Sequence, residues 1–179
     1  MSEWIDYKLG QLAEVLSSKR IFYKDYVDEG IPFYRSKEII EKTQNKSIDE
    51  PLFISKEKFE KIKEQFGAPS DGDLLISSVG ARSGIPYLVN NDGDFYFKDG
   101  NLIWFRNFKD ELRSEFLCYW LKSEIGQFEL QNMMIGSAQP ALTISGLREL
   151  DISIPKPKEQ CAIASVLSSL DDKIELMHR

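Results

Sequence analysis

Residues 142–175 read LTISGLRELDISIPKPKEQCAIASVLSSLDDKIE, and the reading of this stretch decides the fold. TISGLREL is a one-turn helix that feeds the strand-like DISI. Pro155 and Pro157 stop that strand. An amphipathic helix follows and runs to the end of the chain at Arg179. Its apolar residues fall at Ile163, Leu167, Leu170, Ile174 and Met177, at spacings of four, three, four and three. That is the heptad seam of a coiled coil. Ala162, Ala164 and Val166 widen the face at its start, where it is expected to dock on its own domain. Glu159 and Gln160 occupy the first turn, a favourable place for a carboxylate. A terminal helix folded back on its own core is the plainer reading. The narrow seam past Leu167 favours a partner helix.

Upstream, short strands dominate. WIDYKL opens the chain as a strand or cap, and Leu12, Val15 and Leu16 suggest a helical turn or two. DEGIP is a turn before the strand-like PFYR. Ser55 is a good N-cap for a helix carrying Phe59, Ile62 and Phe66 on one face, and Gly67 stops it. LLISSV is a strand, GARSG a glycine-rich loop and IPYLV the return strand. FYF and the continuous apolar run LIWFR follow. SEFLCYWLKSEIGQFELQNM reads as one helix, with Phe116, Leu117, Trp120, Leu121 and Ile125 on a broad apolar face. Strands spaced by short turns, with single helices inserted, predict an α+β domain. Its expected core is a curved, largely antiparallel sheet with packed helices.

The chain has 179 residues, 42 % apolar and 29 % charged, enough for one domain with a full core. Its formal charge of -6 argues mildly against a protein that coats nucleic acid by bulk charge. A reader with its cations focused on one edge remains compatible. Cys118 and Cys161 stand far apart in apolar helical patterns and are expected to be buried free thiols. The single histidine, His178, lies at the very end, which argues against histidine metal sites and Ser-His-Asp chemistry. The amino terminus does not read as a signal peptide, and no stretch reaches the length of a membrane span, so a cytoplasmic protein is expected. Neither glycine of SSVGARSG is followed by Lys, so it is not a nucleotide phosphate loop. Asp71, Asp73 and Lys98 form a conceivable nuclease triple. A chain with 29 acidic residues offers such triples by chance, and turn formation explains the aspartates more simply. No glycine-rich methyl-donor loop and no Asn-Pro-Pro-aromatic run is present. The chain reads as a binder and not a catalyst.

WIDYKLGQLAEV, GIPFYRSKEI, GDLLISSVGARSG and above all residues 142–175 resemble the specificity subunit of type I restriction-modification systems. The final stretch is similar to the family's boundary pattern, a short helix and strand leading into IP.P..EQ..I...L...D..I. The resemblance implies a DNA target recognition domain over 1–157 and the start of a conserved spacer or dimerisation helix over 158–179. Family members carry two recognition domains separated by conserved helices. This chain carries one, as a half-subunit or truncated form would. The resemblance further implies double-stranded DNA as ligand, methyltransferase subunits using S-adenosylmethionine, and an ATP-driven, magnesium-dependent motor and nuclease subunit as partners. Self-association through the terminal helix is also implied, and no cofactor is expected in this chain itself. The competing reading is a protein–protein interaction module without DNA contact.

Base reading needs polar side chains on rigidly held loops. YRSKE offers Arg35 and Lys37, with a surface ion pair from Arg35 to Glu38 as the plain alternative. GARSG offers Arg82 and Ser83, and IGSAQPA offers Ser137 and Gln139. Lys98, Lys19 and Arg20 are further phosphate candidates.

Overall fold

The computed structural model describes residues 3–135 and 140–177. Its layering follows from the apolar run at 102–106, strand β9 (Leu102–Arg106), which pairs antiparallel with β2 (Glu14–Leu16) and β6 (Leu74–Ser77). β6 pairs in turn with β7 (Pro86–Leu88) to complete an antiparallel sheet of order β2-β9-β6-β7. Successive strand residues point to opposite faces. Ile103 and Phe105 therefore enter one core with Leu74 and Ile76, while Leu102 and Trp104 enter another with Leu75. A strand covered on both sides must be apolar throughout, which is why LIWFR shows no alternation.

The first core is roofed by helices. α1 (Leu9–Leu12), α4 (Ser114–Lys122), α5 (Glu124–Met133) and α6 (Ile144–Glu149) contribute Leu9, Phe116, Leu117, Leu121, Leu130 and Leu147. The second core lies between this sheet and another of order β3-β5-β4-β8. That sheet comprises β3 (Tyr26–Val27), β4 (Ile31–Tyr34), β5 (Leu52–Ile54) and β8 (Tyr96–Phe97). Alternation recurs there: Tyr34 and Phe97 face the second core, and Phe33 and Tyr96 the third. α3 (Lys56–Phe66) closes the third core with Phe59 and Ile62. The strand pairs are antiparallel except β4–β8, which is parallel.

β1 (Ile5–Lys8) pairs with β10 (Asp151–Ile154), joining the two ends of the domain, and α7 (Pro157–Met177) follows. Gln160, wholly buried, anchors α7. Its side-chain oxygen accepts the Arg113 N–H at 2.8 Å, and its amide donates to the carbonyls of Glu111 (2.7 Å) and Pro155 (2.8 Å).

Several expectations change. The single sheet is three separate sheets. Val15 and Leu16 lie in β2 and not in a helical turn, because Leu12 already ends α1. The long helix predicted from 114 is broken at Ser123, whose backbone is extended. The Ser123 hydroxyl accepts the Gly126 N–H at 3.1 Å and so starts α5. Any side chain at Gly126 would collide with the Trp120 carbonyl, 2.1 Å from a Cβ placed there. The break turns Ile125 out to solvent. Phe66 is also largely exposed at the end of α3, whereas the Ser55 cap and the Gly67 stop form as expected. Residues 36–38, expected on a polar loop, open helix α2 (Ser36–Thr43). Cys118 is buried, but Cys161 is exposed. On α7, Ala164 is buried while Ala162 and Val166 face solvent, so the docking face is narrower than expected.

Candidate nucleic-acid interface

The polar segments singled out above are stitched together by hydrogen bonds between residues far apart in sequence. The carbonyl of Asn101 accepts from the Ser36 hydroxyl (2.7 Å) and the Ser78 N–H (2.9 Å). The Ser78 carbonyl accepts the Leu142 N–H (2.8 Å), and Pro140 accepts the Gly80 N–H (3.2 Å). Ile135 and Ala141 exchange two backbone bonds of 3.0 Å. The segments 35–37, 78–84 and 98–101, with Ile135 and residues 140–142, thus form one continuous edge. Ser137 and Gln139 lie outside the described residues.

The glycine loop is fastened at its base. Ser77, fully buried, donates its hydroxyl to the Arg82 carbonyl (2.5 Å) and accepts the Ile85 N–H (2.9 Å). Gly80 and Gly84 both adopt left-handed backbone, φ 87° and 89°, which allows this tight return. Arg82 is exposed on the loop and has no acidic partner among the described residues. Ser83 is half-buried, and its hydroxyl meets the Met134 sulfur at 3.4 Å, so it turns towards the end of α5.

Arg35 caps α2 and folds back onto Glu38. Its guanidinium forks onto the Glu38 carboxylate, which also accepts the Arg35 N–H at 2.7 Å. Burial pushes the Glu38 carboxyl up, but the Arg35 guanidinium and the backbone donors outweigh it and hold it below its usual value. Lys37 is exposed on the first turn of α2, 3.8 Å from Glu41. α2 is clasped at its far end, where Lys42 meets Asp92 at 2.7 Å and the Tyr87 hydroxyl donates to the same carboxylate at 2.5 Å. Arg20 donates to Asp99 at 2.8 Å, and Lys98 is anchored by its N–H on the Tyr34 carbonyl at 2.8 Å. Lys19 sits apart in an open cleft beside Trp104, its ammonium 4.3 Å above the Phe66 ring.

The three residues of the conceivable nuclease set do not share a site. Asp73 is buried and accepts from the Ser70 N–H (3.0 Å) and the Trp104 indole (2.9 Å); burial raises its carboxyl above the ordinary range. Asp71 instead accepts the Asn91 N–H in a surface turn, and Lys98 lies on the loop edge. On the terminal helix, Ile163 is half-buried against the domain core, Leu167 is half-buried, and Leu170, Ile174 and Met177 are exposed. Sequence reasoning missed the Gln160 anchor and the Lys42–Asp92–Tyr87 clasp, since neither leaves a local pattern.

The chain is thus a layered α+β domain that gathers polar loops on one edge and ends in a docked helix. The chain belongs to the type I restriction modification DNA specificity domain family, whose model matches residues 1–179. It is 31 % identical over 166 residues to a putative type I restriction enzyme specificity subunit of Haemophilus influenzae, covering 92 % of this chain and 39 % of that protein. It is 44 % identical over 106 residues to the MjaIX specificity subunit of Methanocaldococcus jannaschii, covering 58 % of this chain and 23 % of that protein. The fold matches the S subunit from M. genitalium with a TM-score of 0.67 at 20 % identity, over 99 % of this chain and 41 % of that one. It also matches the HsdS subunit from Thermoanaerobacter tengcongensis with a TM-score of 0.68 at 22 % identity, over 99 % of this chain and 39 % of that one. The chain therefore spans about two-fifths or less of these relatives. Among the described residues no helix is long and apolar enough to cross a membrane.

Proposed function

We propose that the chain reads one half of a bipartite duplex DNA target as the non-catalytic specificity component of a type I restriction-modification complex. The observation that carries this reading is the hydrogen-bonded convergence of the candidate loops on one edge, in a chain matched along its whole length by a DNA specificity domain family. In this reading Arg82 and Lys98 face DNA with free cations. Lys37, Arg20 and Lys19 contribute phosphate contacts, and Arg35 reaches DNA only by exchanging Glu38 for a phosphate or a guanine. Ser83 supports the loop from behind, and Ser137 and Gln139 remain candidates for base contacts. The exposed stripe of Leu170, Ile174 and Met177 meets a helix of a second copy or of a methyltransferase subunit. Methyl transfer from S-adenosylmethionine, and ATP-driven cutting with magnesium, belong to partner subunits.

The test is selection of bound duplexes from a random-sequence pool by the purified chain at low salt, followed by the same selection with the methyltransferase subunits present. Enrichment of one sequence class in both is expected. Unenriched pools in both, with normal subunit assembly, would leave an interaction module as the function. The net charge of -6 and the exposed helix stripe favour that second reading. Plasmid cutting by the chain with magnesium, lost in Asp73→Asn, would instead make it a nuclease.

A further inference from the structure

Two large aromatic side chains stand in solvent beside the edge just described. Tyr23 is 88 % exposed and Phe22 is 56 % exposed. Consecutive exposed aromatics on a surface otherwise rich in charge mark a contact site more often than chance. Here they are also held still. Residues 23–25 form a single 3-10 turn, closed by the Asp25 N–H on the Phe22 carbonyl at 2.8 Å. The Asp25 carboxylate accepts the Phe22 N–H at 3.1 Å and lies 3.5 Å from the Lys58 ammonium. Ile21 is buried in the third core directly before the pair. The Tyr23 ring leans edge-on against Tyr26, 5.7 Å between centres, and Tyr26 leans on buried Phe33. Rings fixed in this way have already lost the freedom that binding would otherwise cost.

Their surroundings select the ligand. Arg20, Phe22 and Tyr23 share an open hollow of about 310 Å³ with Lys98 and Asp99. Arg20, its side chain 68 % exposed, and Lys98 are cations at that hollow, and exposed Lys24 follows Tyr23. The carboxylate of Asp99 is only 16 % exposed and already engaged by Arg20, while Asp25 is spent on the turn. The exposed acids Asp28 and Glu29 come later, on the turn between β3 and β4. Aromatic faces flanked by cations suit a ligand that alternates flat apolar surfaces with negative charge, which is the chemistry of a nucleic-acid strand. The hollow is continuous with the reading edge, because Lys98 and Asp99 begin the loop whose Asn101 joins Ser36 to Ser78.

We infer that Phe22 and Tyr23 form an aromatic contact on duplex DNA, packing on a deoxyribose or a partly unstacked base while Arg20 and Lys98 hold the adjoining phosphates. The inference rests on the duplex-reading proposal and extends it to residues that carry no charge. Its consequence is distinctive: stacking contributes affinity without releasing counterions.

The experiment compares the wild-type chain, the double variant Phe22→Ala/Tyr23→Ala and the single variant Tyr23→Trp. The probe is a fluorescent duplex from the enriched pool, titrated at several salt concentrations. Wild type should bind, and the double variant should bind about 5- to 100-fold more weakly with an unchanged salt slope. Tyr23→Trp should keep wild-type affinity and add tryptophan emission that duplex quenches. Unfolding midpoints of wild type and Tyr23→Trp should coincide, since the side chain is exposed. Equal affinity of wild type and double variant, with no quenching in Tyr23→Trp, overturns the aromatic contact and leaves the duplex-reading proposal standing. A weaker double variant whose salt slope also falls by about one unit assigns the loss to displaced Arg20 or Lys98 and overturns it equally. A wild-type chain that binds no duplex removes both.

Discussion

Replacing Gln160 should loosen the joint between the domain and its terminal helix. The side chain is fully buried and makes three hydrogen bonds, to the Arg113 N–H and to the carbonyls of Glu111 and Pro155. In Gln160→Ala, the Glu111 carbonyl and the Arg113 N–H belong to exposed residues and regain water, while the Pro155 carbonyl stays shielded without a partner. That shielded orphan costs about 1–3 kcal/mol, which is the loss expected of the variant. Gln160→Glu keeps the shape and the acceptor for Arg113, but turns a carboxylate oxygen towards two carbonyls. Its folded-state pKa must rise, so the variant's stability is greatest below the ordinary Glu pKa and declines as pH climbs through the raised value. Urea unfolding gives the magnitude. Hydrogen exchange shows whether the amides at the start of α7 open before those of β6 and β9. A loss under about 1 kcal/mol with unchanged exchange along α7 would refute the claim that Gln160 fastens the helix.

Arg82→Ala and Lys98→Ala should each reduce the salt slope of duplex binding by about one unit if they meet phosphates. If Arg82 forks onto guanine, its loss should cost about 1–3 kcal/mol mainly on the enriched sequence, as fluorescence titration on enriched and scrambled duplexes would reveal. Asp73→Asn should keep the acceptor for Trp104 while removing a buried charge. Because the folded-state pKa of Asp73 is raised, its ionisation weakens the wild type as pH rises through that window, so the variant's relative stability should increase from acid to neutral pH in paired melts. Leu170→Asp/Ile174→Asp should leave the melting temperature nearly unchanged, since these residues are 48 % and 50 % exposed. It should abolish association with a second copy or a methyltransferase subunit in sedimentation, because the new charges would be desolvated in the seam.

Features written in neighbouring residues were legible. The cap and stop of α3 need only Ser55 and Gly67, and the double-sided burial of β9 is visible in five consecutive apolar or amphipathic residues. The break between α4 and α5 was hidden because apolar spacing continues across it, although Ser123 caps a new helix there and Gly126 makes room for the Trp120 carbonyl. α2 was hidden for the opposite reason: its buried apolar residues, Ile39 and Ile40, are adjacent and define no period. The polar loops of the edge could be named from composition. Their juxtaposition depends on Ser36, Ser78 and Asn101, which are distant in sequence and chemically unremarked. The spacing places Gln160 only in a first turn, whereas its value lies in three partners outside that turn.

The pairing of cations along the edge bears on how such a domain would use DNA. Arg20, Arg35 and Lys37 have acidic partners in Asp99, Glu38 and Glu41. A phosphate gains little by displacing the buried Glu38, because an orphaned buried carboxylate costs more than a surface contact returns. Of the cations proposed to meet DNA, Lys19, Arg82 and Lys98 are left without an acidic partner among the described residues. These three unpaired cations correspond to a salt slope near −3, roughly a third of that of a strong operator binder, and the exposed pairs of Arg20 and Lys37 add to it as they exchange their acids for phosphate. With a net charge of -6 opposing approach, the isolated domain should discriminate between sequences better than it holds any of them. In the proposed reading, affinity then comes from linkage to other DNA-binding subunits, which would raise the effective concentration of the domain on its target without new base contacts. The α7 helix is suited to that linkage. Gln160 fastens its first turn, Tyr119 donates to Asp171 at 3.0 Å two turns before its end, and the apolar stripe emerges beyond the domain at Leu170 and Ile174. A rigid joint matters here because a loosely attached helix would lower the effective concentration and lose the gain. Reading and holding are thereby assigned to different parts of one chain, and weakening the joint at Gln160 should impair DNA binding in the assembled complex more than in the isolated domain.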